Sequence, residues 1–339
     1  MGGDGHGVAA DLPARATAAA QRWHPGVRIT DVEPLTGGSS SLTFVARVEG
    51  GPPGDEVLVL KVAPPGLPPV RNRDVLRQGR VMRALHGAGI VVPPVHFDDP
   101  GEPPDAPPFV AMGLVTGTSV EPVLAHERDP STLAEVRARA LDAAAVLAAI
   151  HRVDPPTVGL DEDPVALVDE VHRWTRAFAT VPPDLQGDHQ RCADALVEAP
   201  PAPLPAVVNH GDFRLGNTLG QDGRITAVID WEIWSVGDPR VDVAWFTFFT
   251  DEACHPAASS SGPSGMPPAA QLLHAYAAAG GAPLDDLRWF DALTRYKEAA
   301  ATALLIKRAR RSGEIEPALE RMVPALPRLV DEACELLGR

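Results

Sequence analysis

The stretch AVVNHGDFRLGNTLGQDGRITAVIDW, residues 206–231, decides how the rest of the chain is read. An apolar run ends at Asn209 and gives way to the polar loop HGDFRLGN, His210 to Asn217. Beyond it the turn GQDGR and the strand-like run ITAVID lead to Asp230. Gly, Asp and Asn stand where a chain turns, and Val, Ile and Thr fill the runs between them. Two or three short strands around tight turns are therefore expected here, in a region otherwise helical in pattern.

Read alone, HGDFRLGN is as good a turn as any. Its His210, Asp212 and Asn217 nevertheless reproduce the H-x-D-x-x-x-x-N spacing of a phosphoryl-transfer catalytic loop, in a chain whose other asparagines are Asn72 and Asn209 alone. Phosphoryl transfer asks for hard oxygen ligands for a metal, a cation on the phosphates and a carboxylate at the attacking hydroxyl. A short hairpin would return Asp230 beside Asn217, where an amide carbonyl and a carboxylate could share Mg²⁺. Taken singly, Asp230 reads first as a strand-end residue capping the next segment; with Asp212 and Asn217 upstream, the metal-ligand reading is preferred. Upstream, VLVLK closes an apolar strand with Lys61; such a lysine either snorkels to solvent or pairs with nucleotide phosphates. LTGGSSSLTF places Gly37, Gly38, Ser39 and Ser40 in a strand-to-strand turn whose backbone N–H groups could approach phosphates, although the same residues make a flexible turn.

Around these residues the 339-residue chain reads as an α+β protein of two lobes. Residues 1–115 form a small β-rich lobe with one main helix, over RNRDVLRQGRVMRALHGAG, and residues 116–339 a larger, mostly helical lobe. Strands are expected over Val27 to Pro34, Leu42 to Glu49 and Glu56 to Ala63, with two more in VVPPVHF and PFVAMGLV. STLAEVRARALDAAAVLAAIHRVD is the clearest helix, with Ser131 or Thr132 as its N-cap, and a single helix is expected over Ile315 to Leu337. The loop ACHPAASSSGPSGMPP is longer than compact domains usually carry.

A net charge of −15 argues against a nucleic-acid backbone as partner. Cys192, Cys254 and Cys334 lack metal-ligand spacing and read as buried or incidental thiols, not as a disulfide framework or a zinc site. No apolar run reaches the roughly 18 residues of a membrane span, and the N-terminus lacks the layout of a secretory signal. A cytoplasmic protein with no membrane partner is the expectation.

HGDFRLGN, IDWE and GDPRVDVAW together, with TGGSSSLTF, the VLK strand, RALHGAGIVVPPV and LAAIHRVD, resemble the aminoglycoside phosphotransferase and choline kinase superfamily. The resemblance is particular to the branch that includes the kinase-like domain of certain acyl-CoA dehydrogenases, and it thins after about Phe249. It implies a protein-kinase-like fold and transfer of the γ-phosphate of ATP or GTP to a hydroxyl of a small molecule, with Mg²⁺. It further implies that Asp212 is the base, that Asn217 and Asp230 hold the metal and that Lys61 binds nucleotide phosphates under the turn at 37–41. His210 would support the loop, Met112 and Leu114 would lie in the hinge that meets the base ring, Asp238 and Asp242 would brace, and Trp245 would anchor the core. Arg214, two residues after Asp212, either neutralises the transferring phosphoryl group or forms a salt bridge within the loop.

One departure stands out. The family usually pairs its lysine with a glutamate from the following helix, and the corresponding register here carries Gln78. An amide holds an ammonium less firmly than a carboxylate does. Nucleotide binding without transfer is the rival expectation that Gln78 motivates.

Overall fold

In the computed structural model, which describes residues 5–35, 41–125, 127–253, 255–258, 262–313 and 315–338, the alternating run VLVLKV becomes the middle of a five-stranded antiparallel sheet. The chain divides into two units. The first comprises Met1–Gly117 with Val158–Leu160 and Thr226–Trp234, and the second holds the remainder. The first unit contains α1 (Gly5–Trp23), β1 (Arg28–Pro34), β2 (Leu42–Glu49), β3 (Val57–Val62), α2 (Val75–Gly87), β4 (Val95–Asp99) and β5 (Phe109–Gly113), with strand order β1-β2-β3-β5-β4.

Period-two alternation explains the two faces of this sheet. Leu58, Leu60 and Val62 of β3 are fully buried, with Phe109 and Ala111 of β5, against Leu12, Ala16, Ala19 and Ala20 of α1. Each fully buried large side chain contributes roughly 1.5–3 kcal/mol relative to exposure. On the other face Val110 packs with Ala63 and with Val75 of α2. A Cβ at Gly79 of α2 would come within 2.9 Å of Val110, so this position must be glycine for the helix to lie so close. Lys61 stands opposite Val110 in the β3–β5 register and therefore on the α2 face.

Helix α1 has no counterpart among the elements expected from the sequence. Pro13 lies inside it, and its apolar stripe is built largely from alanines, which weakens the periodic signal while leaving the packing sound. Arg15 locks it to β4 through Asp99 at 2.6 Å.

The second unit holds α3 (Leu133–His151), α4 (Leu167–Phe178), α5 (His189–Glu198), β6 (Val207–Asn209), β7 (Thr218–Gln221), β8 (Arg224–Val228, whose residues from Thr226 onward belong to the first unit), β9 (Ser235–Gly237), α6 (Arg240–Phe248), α7 (Ala269–Ala278), α8 (Leu287–Ser312), α9 (Pro317–Met322) and α10 (Leu326–Leu336). β6 pairs antiparallel with β9, and β7 pairs with β8. The core gathers Val171, Phe178, Leu196, Phe290, Tyr296 and Leu329 from α4, α5, α8 and α10.

Two local expectations are refined. Thr132 is the N-cap residue of α3, one of the two expected, but its side chain makes no capping hydrogen bond; the side-chain cap lies one 3₁₀ turn upstream, where Asp129 accepts from the Ser131 N–H before Pro130–Thr132. The expected single helix over 315–337 is two helices, α9 and α10, separated by a 3₁₀ turn containing Pro324, whose ring nitrogen has no N–H to continue the ladder. Cys192 and Cys334 are buried free thiols as expected, and burial pushes the Cys192 thiol up. Among the described residues no helix is long and apolar enough to cross a membrane.

Candidate active site

The candidate residues that the structure describes gather in two clusters, one in each unit. In the first, β3 delivers Lys61, whose Nζ lies 2.9 Å from Asp230 Oδ1. Asp230 follows β8 and has φ +64, the left-handed region that a side chain rarely adopts. The segment that carries it is tied into this unit: Val228 donates its N–H to Val91 O at 2.8 Å, and Trp231 donates its indole N–H to Val228 O at 3.0 Å. Arg77 of α2 donates to Trp234 O at 2.9 Å while its guanidinium lies 3.9 Å from the centre of that indole.

Gln78 does not take up the lysine-pairing role that its register suggested. Its Nε2 donates to Asn72 O at 3.0 Å, and its buried Oε1 has no hydrogen-bond partner among the described residues. The carboxylate beside Lys61 is Asp230 instead.

Met112 sits within the ladder, opposite Val59 and Val95, and Leu114 lies just beyond it, exposed. The expected phosphate-covering residues Gly37, Gly38, Ser39 and Ser40 lie outside the described residues.

In the second unit the loop after β6 presents Asp212 with several partners. Its Oδ1 accepts from Trp245 Nε1 of α6 at 2.8 Å and from Arg214 Nε at 3.2 Å, and its Oδ2 accepts from Asn217 Nδ2 at 2.7 Å. Asn217 donates also to the Asp212 carbonyl at 2.8 Å, so its amide nitrogen is committed to Asp212 and its amide oxygen is the ligand atom it can offer a cation. Trp245, expected as a core anchor, thus also positions the carboxylate. His210 is buried and its Nδ1 accepts from the Asp212 N–H at 3.1 Å, the supporting role expected of it.

The loop is braced from beneath by Asp242 of α6, fully buried, which accepts from His210 N at 2.5 Å and from Gly211 N at 2.8 Å. Burial alone would raise this carboxyl, but His151, His210 and Lys297 outweigh it and hold its pKa below the ordinary value. His151 of α3 lies 3.6 Å from Asp242 Oδ2 and shares a 2.8 Å hydrogen bond with the Tyr276 hydroxyl of α7. Asp238 accepts from Arg240 Nη2 at 2.8 Å, a buried pair that secures the start of α6.

Three residues here carry no signal in the sequence pattern. Glu121 accepts from Arg214 Nη1 at 2.6 Å and from the Gly216 N–H at 3.1 Å. Burial raises its pKa against the pull of Arg214. For Arg214 burial works the other way, yet Asp212 and Glu121 prevail and strengthen the charge. The salt-bridge alternative for Arg214 is therefore present, spanning Asp212 and Glu121. Lys297 of α8, buried, donates to the Gly211 carbonyl and lies 4.1 Å from the centre of the Trp245 indole. Glu298, which an amphipathic reading would place on the wet face, is buried, with His255 Nε2 at 3.3 Å and the Thr302 hydroxyl donating at 2.9 Å. No short motif surrounds Glu121, Lys297 or Glu298, so spacing alone could not have found them.

Among the described residues no group of three or more His, Cys, Asp or Glu is arranged to hold a metal.

Comparison with known proteins gives one family by profile and a shared fold by structure. The profile of the phosphotransferase enzyme family, APH, matches residues 31–293. Acyl-CoA dehydrogenase family member 10 of Mus musculus is 29% identical over 221 residues, covering 61% of this chain and 19% of that protein. The chain thus spans about a fifth of that relative's length. Among solved structures, a candidate aminoglycoside phosphotransferase of Ralstonia eutropha superposes with a TM-score of 0.70 at 21% identity, over 91% of this chain and 92% of the other. A thermostable variant of aminoglycoside phosphotransferase APH(4)-Ia, in ternary complex with ADP and hygromycin B, gives 0.57 at 19% identity over 89% and 95%. At these identities the structures establish the shared kinase-like α+β fold.

Proposed function

We propose, for a chain that belongs to the phosphotransferase enzyme family, that it transfers the γ-phosphoryl group of ATP or GTP to a hydroxyl of a small molecule. The observation that carries this reading is the carboxylate of Asp212, aimed by Trp245, Arg214 and Asn217. Asp212 accepts the acceptor's hydroxyl proton as the oxygen forms its bond to phosphorus and the bond to the nucleotide diphosphate breaks. Lys61 binds nucleotide phosphates, at the cost of its contact with Asp230. Asp230 and the amide oxygen of Asn217 would hold Mg²⁺, which when bound supplies charge neutralisation at the phosphates. Gly37, Gly38, Ser39 and Ser40 cover the phosphates, and Met112 and Leu114 flank the base ring. Arg214, held by Glu121 as well as Asp212, offsets negative charge beside the acceptor oxygen.

The acceptor class is narrowed by the family alone: an antibiotic, a hydroxyacyl thioester as the acyl-CoA dehydrogenase relative suggests, or a related metabolite. A nucleotide-consumption screen over aminoglycosides, macrolides, hydroxyacyl-CoAs, choline-like alcohols and sugars tests the proposal, with Asp212→Asn as blank. The expected result is turnover with one class and a loss of about 10²–10⁴-fold in the variant, while ATP·Mg²⁺ still raises its melting temperature. Unimpaired transfer by Asp212→Asn would refute the assignment. Gln78, bonded to Asn72 and not to Lys61, supports a second reading, nucleotide binding without transfer; it predicts that ATP·Mg²⁺ stabilises the protein while no acceptor in the panel, nor water, is phosphorylated.

A further inference from the structure

Lys297 has the one property hardest to explain as packing: a buried ammonium whose hydrogen bond goes to a backbone carbonyl and not to a carboxylate. Removing an ammonium from water is costly, and a well-packed apolar side chain in its place is often neutral or stabilising. Burial depresses the Lys297 pKa against the pull of Glu170, Asp212 and Asp242. Stability alone therefore gives no reason for a lysine here.

Its contacts supply one. The carbonyl it binds is that of Gly211, whose φ of +86 only glycine adopts readily. That carbonyl belongs to the peptide plane joining Gly211 to Asp212, and the N–H of the same plane is held by His210 Nδ1 at 3.1 Å. The plane is thus gripped at both ends immediately before the Asp212 side chain. The same ammonium lies 4.1 Å from the centre of the Trp245 indole, within cation–π range. Trp245 in turn donates to Asp212 Oδ1 at 2.8 Å. Trp174 of α4 offers Lys297 a second ring at 5.8 Å and itself donates to Glu170 at 2.8 Å.

We propose that Lys297 is a positioning residue for phosphoryl transfer: from α8 it fixes both the peptide that carries Asp212 and the indole that aims its carboxylate. The proposal rests on the phosphotransferase reading for its catalytic meaning, while its geometric content stands apart. It assigns a role in orienting the base to a helix outside the catalytic motifs.

The test compares the wild type with Lys297→Met, Trp245→Phe and the double variant, using ATP·Mg²⁺ with whichever acceptor the screen identifies, or with water as acceptor. Lys297→Met should lower kcat by about a hundredfold, the scale of a misplaced catalytic group, with KM for ATP within about twofold. The double variant should be no worse than the poorer single variant, since both act on one carboxylate. A folded Lys297→Met protein with kcat within about twofold of wild type would overturn the proposal, as would losses that multiply in the double variant. If the Met variant does not fold, Lys297→Gln, which keeps a donor for Gly211 but no charge over the ring, carries the same comparison.

A second measurement needs no activity. The emission of Trp245, taken as the difference between each protein and its Trp245→Phe counterpart, should shift and become more accessible to acrylamide when Lys297 is replaced. An unchanged difference spectrum refutes the positioning role. Should the wild type transfer phosphate to nothing, the phosphotransferase reading falls, and this spectrum still decides whether Lys297 orients Trp245.

Discussion

The two units hold their central carboxylates in different ways. In the first, Asp230 is 42% exposed at its side chain, sits on a left-handed backbone and meets a lysine 169 residues away in sequence, on β3. In the second, Asp212 takes donors from its own loop and from α6, above a buried layer of Asp242, His151 and Lys297. A partly exposed ion pair can be exchanged for another partner at little cost. A carboxylate gripped by several donors over a buried ionic layer is held in one geometry before any ligand arrives.

Breaking the buried layer should have the largest effect. Asp242→Ala leaves the buried His210 and Gly211 backbone N–H groups without their acceptor and removes the carboxylate beside Lys297, and should destabilise the protein by about 3–5 kcal/mol in urea unfolding. The same carboxyl is depressed in pKa, as is that of Glu298, where His255, Thr302 and Arg214 outweigh burial. Groups of that kind contribute stability that is present above the ordinary carboxylate range and is lost as pH falls through the folded value. Wild-type stability should therefore decline on acidification, and Asp242→Ala should decline less steeply; identical acid limbs would show that Asp242 does not contribute.

A milder way to disturb the loop is Gly216→Ala. The added methyl would overlap Arg214 and the Glu121 carboxylate, so a loss of about 1–3 kcal/mol is expected, with a fall in turnover larger than any change in nucleotide affinity. If the variant matches wild type in both, the Arg214–Glu121 pair is not a fixed part of the site.

The first unit should respond least in stability. Lys61→Met removes one partner of a partly exposed pair, and the change in unfolding free energy should stay below about 1 kcal/mol. Nucleotide binding should suffer instead: ATP·Mg²⁺ should no longer raise the melting temperature as it does for wild type. A large stability loss with nucleotide-induced stabilisation intact would reverse the contrast between the two units.

Much of the fold is legible from local pattern. The strands around VLVLK and the turn GQDGR are readable because alternation and turn residues act over a few positions, and α2 and α3 because their apolar spacing is regular. The exceptions have physical causes. Helix α1 buries alanines, which contribute little to a periodic signal, and Pro324 divides what spacing alone joins into one helix. Within HGDFRLGN the loop can be singled out because its polar residues stand at fixed spacing inside one short segment.

Local pattern fixes a short-range layer: the elements, the loop with Asp212 and Asn217, and Lys61 near the end of its strand. Packing between distant segments fixes who holds whom. It set Asp230 rather than Gln78 beside Lys61, brought Glu121 to Arg214 from 93 residues away, and placed Lys297 under a loop 86 residues before it. Such pairings depend on how helices and strands pack, and one residue of each pair carries no local pattern that distinguishes it from an ordinary surface charge. Burial is what turns those charges into parts of a site, because an ammonium or carboxylate removed from water must find its partner within the fold.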